Sequence, residues 1–163
     1  MRCLSPALLA GLMGISTALA GCGNSGAGGS ASSDARGVIA SAADCVSFGA
    51  DAVKACANAI ERAVEKHEAS TTSHPNLDLC EREVGPERCE RAASGRYRAR
   101  LSAFMVTIGE TARAEPLYPV ADGVGFQTAD KSKLLTEDRS VVFSSLALSV
   151  AEMQAARGKK NRL

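Results

Sequence analysis

The sequence predicts a mainly α fold with one small β-hairpin, a single disulfide-stapled domain behind a signal peptide and a flexible linker. Three observations predict it. Apolar residues recur at three- and four-residue spacing in several segments, which is the stripe of a helix packed on one side. Four cysteines lie beyond Cys22, an even number suited to pairing. One Asp-Gly turn signal, Asp122-Gly123, lies between apolar flanks. The expected division is a leader at 1–21, a lipidated cysteine and tether at 22–34, a small helical domain at 35–158 and a basic tail at 159–163.

Taken in order, Arg2 supplies a positive start and the stretch from Leu4 to Leu19 is apolar. It is too short and too rich in Gly, Ser and Pro for a good membrane span. It ends Leu19-Ala20-Gly21-Cys22, the pattern of a bacterial lipobox. Small residues before the cut let a peptidase accept the extended backbone. The Cys22 thiol then takes a diacylglyceryl group, and its freed amine can be acylated. Each buried methylene adds about 0.8 kcal/mol, and stable anchoring takes more than one chain. The Gly/Ser tract from Gly23 to Ser33 reads as a flexible tether. Gly23, in place of an Asp, leans toward the outer membrane in a Gram-negative host.

With Cys3 in the leader and Cys22 lipidated, Cys45, Cys56, Cys80 and Cys89 remain. In an exported chain they read as disulfides. No C-x-x-C pair exists, and His67 and His74 lack paired ligand spacing, so no metal is expected. Neighbour pairing (Cys45–Cys56, Cys80–Cys89) is favoured. Nested pairing and crossed pairing stay open.

The expected helices follow from stripes, caps and breakers. Asp51 is placed to cap a helix running to about Glu68, with Val53, Cys56, Ala57, Ile60, Ala63 and Val64 on its buried face. His74-Pro75 disfavours further helix. Asn76 caps a short helix, LDLCEREV, which Gly85-Pro86 ends. A third helix is expected from about Tyr97 to Arg113, with Leu101, Phe104, Met105, Ile108 and Ala112 on one side. The segment PLYPVADGVGFQT reads as a small β-hairpin or two short extended segments. A fourth helix is expected from Thr136, with the stripe Val142, Leu146, Val150 and Met153, ending at Gly158, Lys159 and Lys160. That stripe is expected to dock on the third helix.

The order of motifs is a lipobox, "ADC", a second Cys, a helix, "CEREVGPERC", an apolar "FM" segment and "PLY…GFQTAD". This resembles the YgiB-like family of bacterial lipoproteins, a domain of unknown function (number 1190), from Asp44 to about Lys133. The resemblance implies an envelope location and a cysteine framework, and it implies no reaction. The chain departs from the family in its amphipathic stretch from Ser140 to Arg157, where the family often has a low-complexity tail. It also carries Val84-Gly85 where the family often has an aromatic before the Gly.

Signals for chemistry are few. There is no G-x-S-x-G elbow and no phosphate-binding glycine loop. His67 reads as a polar residue near a helix C-terminus, where the dipole favours it. Glu81, Glu83, Glu87 and Glu90 interleave with arginines and read as a solvated, salt-bridged face. Nineteen Lys and Arg balance eighteen Asp and Glu, a net charge of +1, so nucleic acid is not an expected partner. Arg88, Arg91, Arg96, Arg98 and Arg100 surround Tyr97 and form a candidate anion-binding patch.

The expectation is a non-catalytic scaffold or binding module, anchored to the cell envelope and facing the periplasm from the outer membrane. It is not expected to be an enzyme, and no cofactor is expected. Its partners are the membrane, through the lipid, and an envelope protein as a further candidate. The alternative is an accessory subunit that shares a site with an envelope enzyme.

Overall fold

A computed structural model describes residues 35–139 and 141–160, with the side chains of 159 and 160 left aside. The leader, Cys22, the tether, Ser140 and the last three residues lie outside the described residues. The first described element is strand β1 (Ala35–Ile39). Two 3-10 segments, Ala42–Phe48 and Ala50–Ala52, lead into helix α1 (Val53–Ser70). Strand β2 (Ser73–His74), helix α2 (Leu77–Val84) and strands β3 (Cys89–Arg91) and β4 (Tyr97–Ala99) follow. Then come β5 (Ala103–Ile108), β6 (Arg113–Pro119), β7 (Gly125–Gln127), β8 (Lys133–Leu135), β9 (Val142–Phe143) and helix α3 (Ser145–Lys160).

The fold is therefore not mainly α. Its centre is a six-stranded sheet in the order β8-β7-β6-β5-β1-β9, and a three-stranded sheet, β2-β4-β3, stands beside it. Every pairing is antiparallel except β1 with β9, which is parallel. Helix α1 covers one face of the large sheet and α3 the other.

The third helix expected from Tyr97 to Arg113 does not form. Strands β4 and β5 occupy that stretch, and the physical reason is two-sided burial. In β5, Phe104 and Val106 pack with Ile39, Cys56, Ile60 and Ala63 on the α1 side. Ala103 and Met105 pack with Val38, Leu117 and Phe126 on the α3 side. A strand buried on both faces reads as a continuous apolar run, and such a run has no period of its own. The β-branched Val106, Thr107 and Ile108 favour the strand. The expected hairpin segment is extended as foreseen, in β6 and β7, but it belongs to the large sheet.

The fourth helix starts later than expected and buries a different face. Ser144 is its true cap: its Oγ accepts the Ala147 N–H at 3.1 Å and donates to Asp44 Oδ2 at 2.8 Å. Asp44 Oδ2 also accepts the Ala40 N–H at 2.9 Å, so one carboxylate ties β1 to the start of α3. The expected stripe is largely in solvent, with Val142 73% and Met153 48% exposed. Ala147 and Ala151 are buried instead, flanked by Val150 and Gln154. Small side chains let the helix backbone approach the sheet, so spacing of the larger residues pointed to the wrong face. The helix runs to Lys160, the last described residue.

The first two helices follow the expectation more closely. Cys56, Ile60 and Ala63 are buried along α1, although its N-cap is Ala52 and no side chain caps it. Asn76 Oδ1 accepts the Leu79 N–H at 3.0 Å at the start of α2, and Gly85 ends it at φ 100°. Strand β1 escaped the sequence reading. Its Gly37 sits where a Cβ would come within 3.2 Å of both the Phe48 ring and the Val142 carbonyl, so the glycine permits the pairing with β9.

Both disulfides join neighbours: Cys45 to Cys56 and Cys80 to Cys89. The first ties the 3-10 segment to α1 within the core, and the second ties α2 to β3. All four half-cystines are buried.

Two predictions follow from this packing. The four cysteines resist alkylation in unfolded, unreduced protein, and each loop contributes about 2.5–3 kcal/mol in the chain-entropy account. Reduction therefore lowers the melting temperature, and stoichiometric free thiols before reduction would contradict the pairing. Ala151→Asp places a charge in the α3–sheet contact and costs about 3 kcal/mol or more. Leu146→Asp, on the outer face, changes stability by no more than about 0.5 kcal/mol. Urea unfolding of both variants measures the contrast.

Candidate functional site

The most unusual group in the fold is a buried histidine. His67 lies one turn beyond Ala63 on the stripe Cys56, Ile60, Ala63, and only 1% of it is exposed. A buried imidazole needs partners for both nitrogens. On one side its Nε2 is 3.2 Å from Glu90 Oε1, on β3. On the other its Nδ1 is 3.0 Å from the Tyr118 hydroxyl, on β6, and 2.9 Å from the Thr71 hydroxyl just past α1. The rings of His67 and Tyr118 lie 5.6 Å apart, tilted by 42°.

The chain of contacts continues outward. Arg98 lies directly across from Glu90 in the β3–β4 pairing, and its Nε donates to Glu90 Oε1 at 3.0 Å. Its terminal nitrogen reaches Glu68 Oε1 at 3.4 Å, at the exposed end of α1. The run Tyr118/Thr71–His67–Glu90–Arg98–Glu68 thus joins α1, the small sheet and β6 of the large sheet.

Burial pulls the Glu90 carboxyl up. Hydrogen bonds from His67 and Arg98, with the charge of Arg98, outweigh it and hold the carboxyl below its ordinary 4.5. An ionised carboxylate only accepts hydrogen bonds, so His67 Nε2 carries a proton. If the ring is neutral, Nδ1 is an acceptor with a single lone pair.

Tyr118 and Thr71 line a cleft of about 260 Å³ between the end of the large sheet and the small one. Its wall also includes His74, Glu83, Arg88, Gln127 and Lys131. His74 Nε2 is 3.4 Å from Glu83 Oε2. Thr128 donates to Asp130 and accepts the Ser132 N–H at 3.1 Å, which pins the β7–β8 loop along the rim. These hydroxyl and backbone hydrogen bonds hold the exposed Asp130 carboxyl below its ordinary value.

The structure assigns each arginine of the candidate patch internal partners. Arg88 donates to the carbonyls of Val84 (3.3 Å) and Ala121 (2.8 Å). Arg91 donates to Gly95 O and Arg96 to Ser73 Oγ and O. Arg98 binds the two glutamates and Arg100 donates to Cys89 O at 2.9 Å. Of the five, Arg88 alone is among the residues that form the cleft wall. Among the described residues, no group of three His, Cys, Asp or Glu is arranged to hold a metal ion. Cys22 lies outside the described residues.

Sequence reasoning missed the His67 site. The available signal was spacing: His67 is four residues beyond Ala63 and seven beyond Ile60, on the buried face. Its partners Glu90 and Tyr118, and Arg98 beyond Glu90, come from three separate strands, and no local pattern links them.

The lowered Glu90 value sets a pH dependence. Stability from this carboxylate is fully present above its ordinary value of 4.5 and is lost as pH falls through its lower folded value. Glu90→Gln removes that component. Its unfolding midpoint changes less with acidification below about pH 4.5 than that of the wild type. Parallel urea titrations across that range check it, and identical acid limbs would contradict the assignment.

No curated protein and no solved structure matches the chain. A family model described as "Protein of unknown function (DUF1190)" matches residues 33–133, which include β1 through β7, both disulfides and every member of the His67 network. That match extends over more than half of the sequence, and the chain belongs to this family.

Proposed function

We propose that the chain is a lipid-anchored lipoprotein of the cell envelope whose folded part is a non-catalytic binding module. The observation that carries this reading is the pair of buried disulfides, Cys45–Cys56 and Cys80–Cys89, because such bonds persist in oxidising compartments outside the cytosol. The lipobox at Leu19-Ala20-Gly21-Cys22 and the Gly/Ser tract after it supply the anchor and the tether. Gly23 favours the outer membrane. Among the described residues no helix is long and apolar enough to cross a membrane, so attachment in this reading rests on lipid. The non-catalytic part draws on His67, whose ring nitrogens are both occupied by groups of the same chain. The second reading, a subunit that shares its site with an envelope enzyme, draws on the cleft beside Tyr118 and Thr71.

Palmitate labelling in a Gram-negative host tests the anchor. Wild-type protein takes up the label and is processed. Cys22→Ser accumulates as an unlabelled precursor, because the lipid-dependent cut has no substrate. Wild-type protein without label would overturn the lipid anchor.

A further inference from the structure

The hydroxyls beside His67 hold more protons than the ring can accept. With His67 neutral, Nε2–H faces Glu90, and the one lone pair on Nδ1 accepts from either Thr71 or Tyr118. The other hydroxyl then reaches its neighbour's oxygen in a long hydrogen bond of 3.4 Å. With His67 protonated, Nδ1 donates and accepts neither hydroxyl proton. In either state at least one hydroxyl proton has no closer acceptor than that long contact, and both side chains line the cleft. The cleft wall also carries the exposed Lys131; Arg88, on the same wall, is engaged by the Val84 and Ala121 carbonyls, Glu83 lies beside His74, and the Asp130 carboxylate bonds Thr128 at the rim.

We propose that this cleft is a binding site for a small oxyanion group, a phosphate or a carboxylate, which accepts the weakly held hydroxyl proton of Tyr118 or Thr71 and lies against Lys131. The volume, about 260 Å³, suits a compact ligand or the charged head of a larger one. His67, Glu90 and Arg98 act as positioning residues. They fix the two hydroxyls at the cleft wall and do not touch the ligand. Tyr118 is the better-oriented donor, since its ring is rigid and packs against His67. This inference deepens the binding-module reading by naming the ligand class, and it does not depend on the lipid anchor.

The test is titration of the isotope-labelled mature protein with inorganic phosphate and, separately, with acetate, at constant ionic strength. Saturable shifts of the amides of Thr71, Gln127 and Lys131 are expected with at least one of them, and the stronger response separates a phosphate ligand from a carboxylate. Tyr118→Phe weakens the binding about tenfold or more, the usual effect of losing a hydrogen bond to a charged group. Lys131→Gln, at an exposed position, weakens it about threefold without threatening the fold. If Tyr118→Phe does not fold, Lys131→Gln decides. Absence of saturable shifts with both anions, or unchanged affinity in the folded variants, overturns the oxyanion assignment. The lipid anchor is judged separately by palmitate uptake.

Discussion

A histidine sealed from solvent has to be given partners on both nitrogens, and the arrangement of this fold follows that demand. His67 takes one partner from the small sheet and two from the opposite side, Tyr118 on β6 and Thr71 beyond α1. The bond to Glu90 alone would bury part of a charge at some cost. Arg98 offsets that cost by standing directly across the strand pair. The small sheet has three short strands and little apolar surface of its own. This hydrogen-bonded run ties it to β6 of the large sheet, and the Cys80–Cys89 bridge ties its strand β3 to α2. The contacts that orient the Tyr118 and Thr71 hydroxyls are therefore among those that join the two sheets.

The large sheet meets a different constraint. With helices on both faces, each central strand must satisfy two cores at once. Strand β1 sends Val38 to one core and Ile39 to the other, and β5 divides its residues in the same way. The two helices solve the contact differently. Helix α1 brings Ile60 and a disulfide, while α3 brings Ala147 and Ala151 and approaches closely. Asp44 ties the strand end and the α3 cap together, so this one side chain sets where the last helix begins.

The cleft lies where these two constructions meet. Its hydroxyls come from the end of α1 and from β6, its His74–Glu83 contact from β2 and α2, and its rim from the pinned β7–β8 loop. The arginines near Tyr97 serve a separate purpose. Arg96 and Arg100 close backbone carbonyls of the small sheet and its approach segment, and Arg98 neutralises Glu90. A sequence rich in arginine here reflects a small sheet that needs side-chain hydrogen bonds to complete it.

The sequence by itself determined what depends on near neighbours. The Asn76 cap and the Gly85 stop of α2, the stripe of α1 and the extended segments around Asp122-Gly123 rest on residues within a turn or two of one another. For the cysteines the sequence favoured neighbour pairing and left nested and crossed pairing open, and the fold closes the two short loops. The tertiary structure decided the rest. Phe104, Met105 and Ile108 match a helical stripe, and only burial on both faces makes β5 a strand. On α3, two alanines outrank Leu146 and Met153 because the sheet selects for close approach, which hydrophobicity does not record. Glu90 looks like one acid of a solvated face until β3 carries it to His67, 23 residues back along the chain. Tyr118 lies 51 residues from His67, so the site is made by pairing of distant strands and leaves no spacing in the sequence.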